Sequence, residues 1–122
     1  MSDERQKLGR FGEMLACEYL IRHGYKIIDK NYRTRRGEID VVAKNENILV
    51  FVEVKTRTNA MFGSPEEAID FNKQNKLAKT AEHYLSFHDT PDVNYRIDSI
   101  AVEIDTKNKK AKIRHKKDIF FY

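Results

Sequence analysis

Cysteine is nearly missing from this chain. Cys17 stands alone among 122 residues, which excludes an internal disulfide framework and fits a reducing compartment. Because Cys17 falls within a helical pattern, its expected role is a buried or half-buried packing residue, not a nucleophile. No stretch approaches the ~20 consecutive apolar residues of a membrane span. The opening MSDERQKLGR is too charged for a signal peptide, so a cytoplasmic protein without a membrane partner is expected. With 2 prolines and 5 glycines, there is no linker or low-complexity tract, and no internal repeat. Residues 1–122 therefore read as one domain, long enough to bury roughly 60% of its unfolded surface. Also missing are a histidine triad, a Cys-x-x-Cys pair and a phosphate-cradling glycine loop. His23, His83, His88 and His115 show no ligand spacing, and Met14 and Met61 read as packing residues.

Charge is plentiful and unevenly placed. The net charge is +4 and the pI about 9.1. Segment 107–117 (KNKKAKIRHKK) holds seven Lys or Arg and no acid, whereas 61–90 holds three basic and five acidic residues. Such a cluster suits a polyanion such as nucleic acid. It equally suits a solvated edge strand guarded by lysines.

Hydrophobic periodicity predicts the order α-β-β-β-α-β-β, a small α+β or α/β sandwich. A helix is expected from about Asp3 to His23, with Leu8, Phe11, Leu15 and Tyr19 inward, Met14 and Leu20 widening the stripe, and Gly24 as its stop. Segment 25–33 reads as a strand, followed by a short basic turn at 34–37 and a hairpin. Ser64-Pro65-Glu66-Glu67 reads as a helix start. A helical stretch runs from about Asn72 to Phe87, with Leu77, Ala81, Tyr84, Leu85 and His88 toward one side, and Pro91 closes the helical region. Whether 70–72 breaks or bends a longer helix stays open. In segment 93–105 the apolar phase slips between Ile97 and Ile100, which predicts a bulge or strong twist. A turn at Lys107-Asn108 and a strand at Ala111–His115 finish the chain, with an apolar tail, Ile119 to Tyr122.

The hairpin carries the most information. Ile39, Val41 and Ala43 alternate on one face of the first strand, and Ile48, Val50, Val52 and Val54 on one face of the second. The apolar rows meet only if Ile39 opposes Val54, Val41 opposes Val52 and Ala43 opposes Val50, across an even loop at Glu46-Asn47 or Asn45 through Ile48. That register sets Asp40 opposite Glu53 and Glu38 across from Lys55. Opposed carboxylates destabilise a sheet unless a cation joins them or one stays protonated. A divalent metal resolves the conflict. Asp40, Glu53 and the Val54 carbonyl offer oxygens to magnesium or manganese, and Lys55 would activate a water or hold a phosphate oxygen. The alternative is a solvated face on which Glu38 pairs with Lys55. Glu13 follows Gly9 and Gly12 inside a helix, where each glycine costs up to ~1 kcal/mol. Close helix–sheet packing and access of a substrate backbone to Glu13 explain those glycines equally well. Arg33, Arg35, Arg36, Arg57 and Lys73 flank these motifs and could meet phosphates, although each singly reads as a solvated charge.

Gly12-Glu13, Gly37-Glu38-Ile39-Asp40, Phe51-Val52-Glu53-Val54-Lys55-Thr56-Arg57, Phe62-Gly63-Ser64-Pro65 and Arg96-Ile97-Asp98 together resemble the YraN-type family of small bacterial proteins. That family is similar to the PD-(D/E)xK nuclease superfamily and, in motif layout, to archaeal Holliday-junction resolvases. The likeness spans about Leu8 to Ala101. It implies an α/β fold with a restriction-endonuclease-like core, a mixed central β-sheet flanked by helices. It also implies that Asp40 and Glu53 bind Mg2+ or Mn2+, that Lys55 assists phosphodiester hydrolysis, and that Glu13 completes the site. Gln74 matches a polar residue that some relatives place nearby. The expectation is a Mg2+-dependent endonuclease acting on DNA, with branched or damaged DNA as candidate substrates. Its rivals are a nucleic-acid-binding module that does not cleave and an accessory protein whose tail docks to a partner or to a second copy as a homodimer.

Overall fold

The computed structural model describes residues 2–59, 70–88 and 93–119. Helix α1 (Ser2–Arg22) precedes strands β1 (Lys26–Arg33), β2 (Glu38–Asn45) and β3 (Ile48–Thr58). Helix α2 (Phe71–Phe87) then leads to β4 (Asn94–Asp105) and β5 (Lys110–Lys116). The order is the one predicted. The five strands lie side by side in chain order, with β3 and β4 parallel and the other neighbours antiparallel. Parallel pairing needs a crossover, and α2 lies on it. The expected helix start at Ser64-Pro65-Glu66-Glu67, the stop at Pro91, the motif Phe62-Gly63-Ser64-Pro65 and Met61 fall outside the described residues. Asp70 caps α2, its Oδ1 accepting from the Lys73 N–H at 2.9 Å. No helix among the described residues is long and apolar enough to cross a membrane.

Each face of the sheet has its own core. Against α1 lie Val41, Ala43, Val50, Val52, Val54, Ile100 and Val102, with Ala16, Cys17 and Leu20 from the helix. Against α2 lie Ile39, Val42, Phe51 and Ile97, with Leu77, Ala78, Ala81, Tyr84 and Leu85 from the helix. Two-sided burial corrects the reading of β4. Its ladder with β3 runs from Asn94 to Ile104 without a register shift; Ile97 faces α2 and Ile100 faces α1, so no bulge is needed to bury both. Burial of the Cys17 thiol raises its pKa, the opposite of what a nucleophile requires.

Of the large residues that periodicity placed inward on α1, Leu20 is fully buried and Leu15 and Tyr19 pack half-buried against the core, whereas Phe11 and Met14 turn outward. Phe11 and Met14 are 45% and 48% exposed. The stripe at four-residue steps is Gly12, Ala16 and Leu20. A Cβ on Gly12 would overlap the Thr56 hydroxyl and come within 2.9 Å of the Thr56 Cβ and Cγ2, so the helix reaches β3 only because that atom is missing. Gly12→Ala is expected to destabilise the fold by about 1–3 kcal/mol through overpacking, despite the better helix propensity of alanine. Urea denaturation checks this, and adding Thr56→Gly should recover part of the loss. Gly24 ends α1 with φ of +87°, a left-handed stop.

At the other edge, β5 presents Lys110, Lys112 and Lys116 to solvent, the protected edge strand that was one of its two readings. Ile119 packs against the α2-side core, and its N–H donates to the Ile97 carbonyl at 2.8 Å. The first residue of the expected docking tail is therefore half-buried against the sheet's own core; 120–122 lie outside the described residues.

Candidate active site

Strands β2 and β3 pair at Val41↔Val52 and Ala43↔Val50, closing through Asn45↔Ile48. The loop is the two residues Glu46-Asn47, with φ of 56° at Glu46. The ladder ends at Val41↔Val52, and Asp40 and Glu53 stand one step beyond it. Here the Val54 N–H donates to Asp40 Oδ2 at 2.7 Å, so a side chain takes the place of a strand partner. The Val54 N–H and C=O project toward the same edge of β3, which aims the carbonyl toward Asp40 as well. Alternation slips across Asp40. Ile39 packs beneath α2 opposite Tyr32, not against Val54, which corrects the expected register at that position. Glu38 likewise does not meet Lys55; it pairs with Arg33 at 3.4 Å.

Asp40 and Glu53 are both buried. Burial first, and then the charge of Glu53, push the Asp40 carboxyl up to about 8 from an ordinary 3.8, against the opposing Val54 hydrogen bond. Glu13 and Glu38 push the same way. Glu13, from α1, has a raised pKa of its own, chiefly through burial and then through Glu38, with Glu53 adding to it. The charges of Glu13 on α1 and Glu53 on β3 thus both act on Asp40 of β2. Glu53 is held by two ammonium groups, Lys55 Nζ and Lys73 Nζ, each 3.3 Å from its Oε1.

Sequence reasoning missed Asn31 and the part played by Lys73. Asn31 falls between the pairs Lys30↔Val41 and Tyr32↔Ile39, which puts it across from Asp40. Its backbone is left-handed, with φ of 55°, and its side chain acts to lower the Glu13 pKa against the rise that burial causes. The available signal was an asparagine inside a strand-like run, where that residue is unfavourable. Lys73 was grouped with the solvated cations, and only the fold brings α2 over Glu53. Gln74, the next residue, is buried, and its Oε1 has no hydrogen-bond partner; such an atom costs about 1–3 kcal/mol until something meets it. Arg35 and Arg36 are exposed on the turn between β1 and β2, and Arg33 is tied to Glu38. Arg57 is half-buried and donates to the Thr56 carbonyl at 3.2 Å.

The donor set is all oxygen, which fits a hard dication such as magnesium or manganese. Among the described residues no three His, Cys, Asp or Glu side chains form a ready-made metal cluster, so an ion here needs main-chain or water oxygens beside Asp40 and Glu53.

The model of the uncharacterised protein family UPF0102 matches residues 12–102. The chain belongs to the UPF0102 family. A UPF0102 protein of Caldicellulosiruptor bescii is 47% identical over 116 residues, covering 94% of this chain and 98% of the relative. One from Clostridium botulinum strain 657 is 43% identical over 116 residues, covering 93% of each. The matched UPF0102 region contains Glu13, Asp40, Glu53, Lys55, Lys73 and Gln74, and leaves the first three turns of α1 outside.

Proposed function

We propose that this UPF0102 protein is a divalent-metal-dependent endonuclease that hydrolyses DNA phosphodiester bonds. The observation that carries the reading is the end of the β2–β3 ladder, where two buried carboxylates meet with Lys55 3.3 Å from one of them. Asp40 and Glu53 would hold the ion, with main-chain or water oxygens filling the rest of its shell and Glu13 adding negative charge from α1. Bound there, magnesium or manganese supplies Lewis-acid stabilisation of the charge that develops on the phosphoryl oxygens. Lys55 offers its ammonium to a scissile phosphate oxygen or orients the attacking water, and Lys73 fixes the Glu53 carboxylate. Branched or damaged DNA remains within this reading as substrate.

The test is cleavage of labelled duplex, single-stranded and four-way-junction DNA with magnesium or manganese. Lys55→Ala is expected to lower the rate by about 10²–10⁴-fold while leaving the thermal midpoint near that of the wild type. Absence of cleavage on every substrate contradicts the proposal. A second reading, a nucleic-acid-binding module that does not cleave, is favoured by one observation: two lysines already neutralise Glu53. DNA affinity without cleavage at any metal concentration would select it.

A further inference from the structure

Gly9 and Gly12 lie one turn apart on α1, and each weakens the helix by up to ~1 kcal/mol relative to alanine. Gly12 is explained by its contact with Thr56. Gly9 is not: a Cβ there would have nothing within 4 Å. The space it leaves open belongs to a groove of about 570 Å³ lined by Arg5, Leu8, Gly9 and Val54 through Arg57. Three of those side chains, Arg5, Lys55 and Arg57, are cationic, and none is acidic. Arg5 makes no ion pair among the described residues. A neighbouring cleft of about 490 Å³ that shares Arg57 differs, because Glu103 and Asp105 line it alongside Lys110 and Lys112. Lys55, which lines the groove at Gly9, also holds its ammonium 3.3 Å from Glu53 Oε1.

We infer that this groove between α1 and the end of β3 is a track for the phosphodiester backbone of duplex DNA. Gly9 keeps its floor open, and Arg5 and Arg57 neutralise phosphates on either side. The inference rests on the nuclease reading, because the track leads a phosphate to Lys55. It adds two residues, Arg5 and Gly9, that lie outside the family match.

Anisotropy of a labelled duplex, measured in EDTA over a series of KCl concentrations, tests it without cleavage. The double variant Arg5→Ala/Arg57→Ala is expected to flatten the slope of log affinity against log salt by about 1.8, two phosphate contacts at about 0.9 each. Gly9→Gln should bind about tenfold more weakly, a loss of about 1.4 kcal/mol, with the slope unchanged and a thermal midpoint equal to or above that of the wild type. Wild-type affinity and slope in both variants overturn the groove, as does a wild type that binds no duplex at the lowest salt. Cleavage, scored separately with manganese, keeps the two readings apart. A protein that cuts DNA but ignores the groove substitutions loses only the track; one that binds through the groove and cuts nothing loses only the nuclease.

Discussion

Replacing Asp40 with asparagine is expected to abolish cleavage and, in the metal-free protein, to raise stability at pH 8 by up to about 5 kcal/mol, or roughly 15–20 °C in thermal midpoint. Asparagine keeps an oxygen for the Val54 N–H and removes the charge that burial and Glu53 oppose. In the unfolded chain the Asp40 carboxyl titrates near 3.8, and in the fold at about 8. Between those values the fold holds a proton that the unfolded chain has released. The stability this confers is complete below the lower value and is lost as pH rises through the upper one, by at most about 1.4 kcal/mol per pH unit. Glu13, also raised, adds a smaller loss of the same sign. Melting curves from pH 5 to 9 (roughly the window of the shift) should slope downward in wild type and be flatter in Asp40→Asn. Manganese should raise the wild-type midpoint at the alkaline end, because an ion that binds only the fold stabilises it. Superimposable pH profiles for the two proteins would contradict the account.

Asp98→Ala carries the largest expected loss of stability, about 3–5 kcal/mol. Asp98 is fully buried on β4 and gathers three donors. They are Arg96 Nε at 3.0 Å, His115 Nε2 at 2.7 Å and the Asp118 N–H at 3.0 Å. Tyr25 Oη accepts from Arg96 at 2.7 Å, and Tyr19 Oη bonds His115 Nδ1 at 3.1 Å. Removing the carboxylate strands a cation inside and frees the segment after β5. Burial alone would raise the Asp98 carboxyl; the bonds from His115, Arg96 and Asp118 outweigh it and hold the group below its ordinary range. Its contribution is therefore present above the unfolded value and lost as pH falls through the lowered one. Acid weakens the protein through Asp98, and alkali weakens the metal-free protein through Asp40. Chemical denaturation near neutral pH checks the alanine variant. A loss under ~1 kcal/mol would show that the cluster is not the anchor described here.

Period-two patterning made most of the hairpin legible: Val41 against Val52, Ala43 against Val50 and an even loop all follow from burying two alternating rows, and the pair Asn45↔Ile48 selects Glu46-Asn47. The same logic put Ile39 on the wrong face, because pattern alone cannot reveal that the Asp40 carboxylate replaces a strand partner. Phe11 and Met14 were expected inward because large apolar residues dominate a periodicity reading, whereas close approach at Gly12 selects small ones. In β4 the apparent phase slip reflected burial on both faces. Asp40, Glu53 and Lys55 were visible through spacing on neighbouring strands. Asn31, Lys73 and the Asp98 cluster were not, since their contacts join residues far apart in the chain, as Tyr19 and His115 do.

The central claim is that the gap between Asp40 and Glu53 is a cation site. Anomalous diffraction from a manganese-soaked crystal tests it most directly. The account predicts a peak bonded to carboxylate oxygens of both residues, and its disappearance in Asp40→Asn. A soaked crystal with no peak beside Glu53, or with manganese only at other carboxylates, would contradict it.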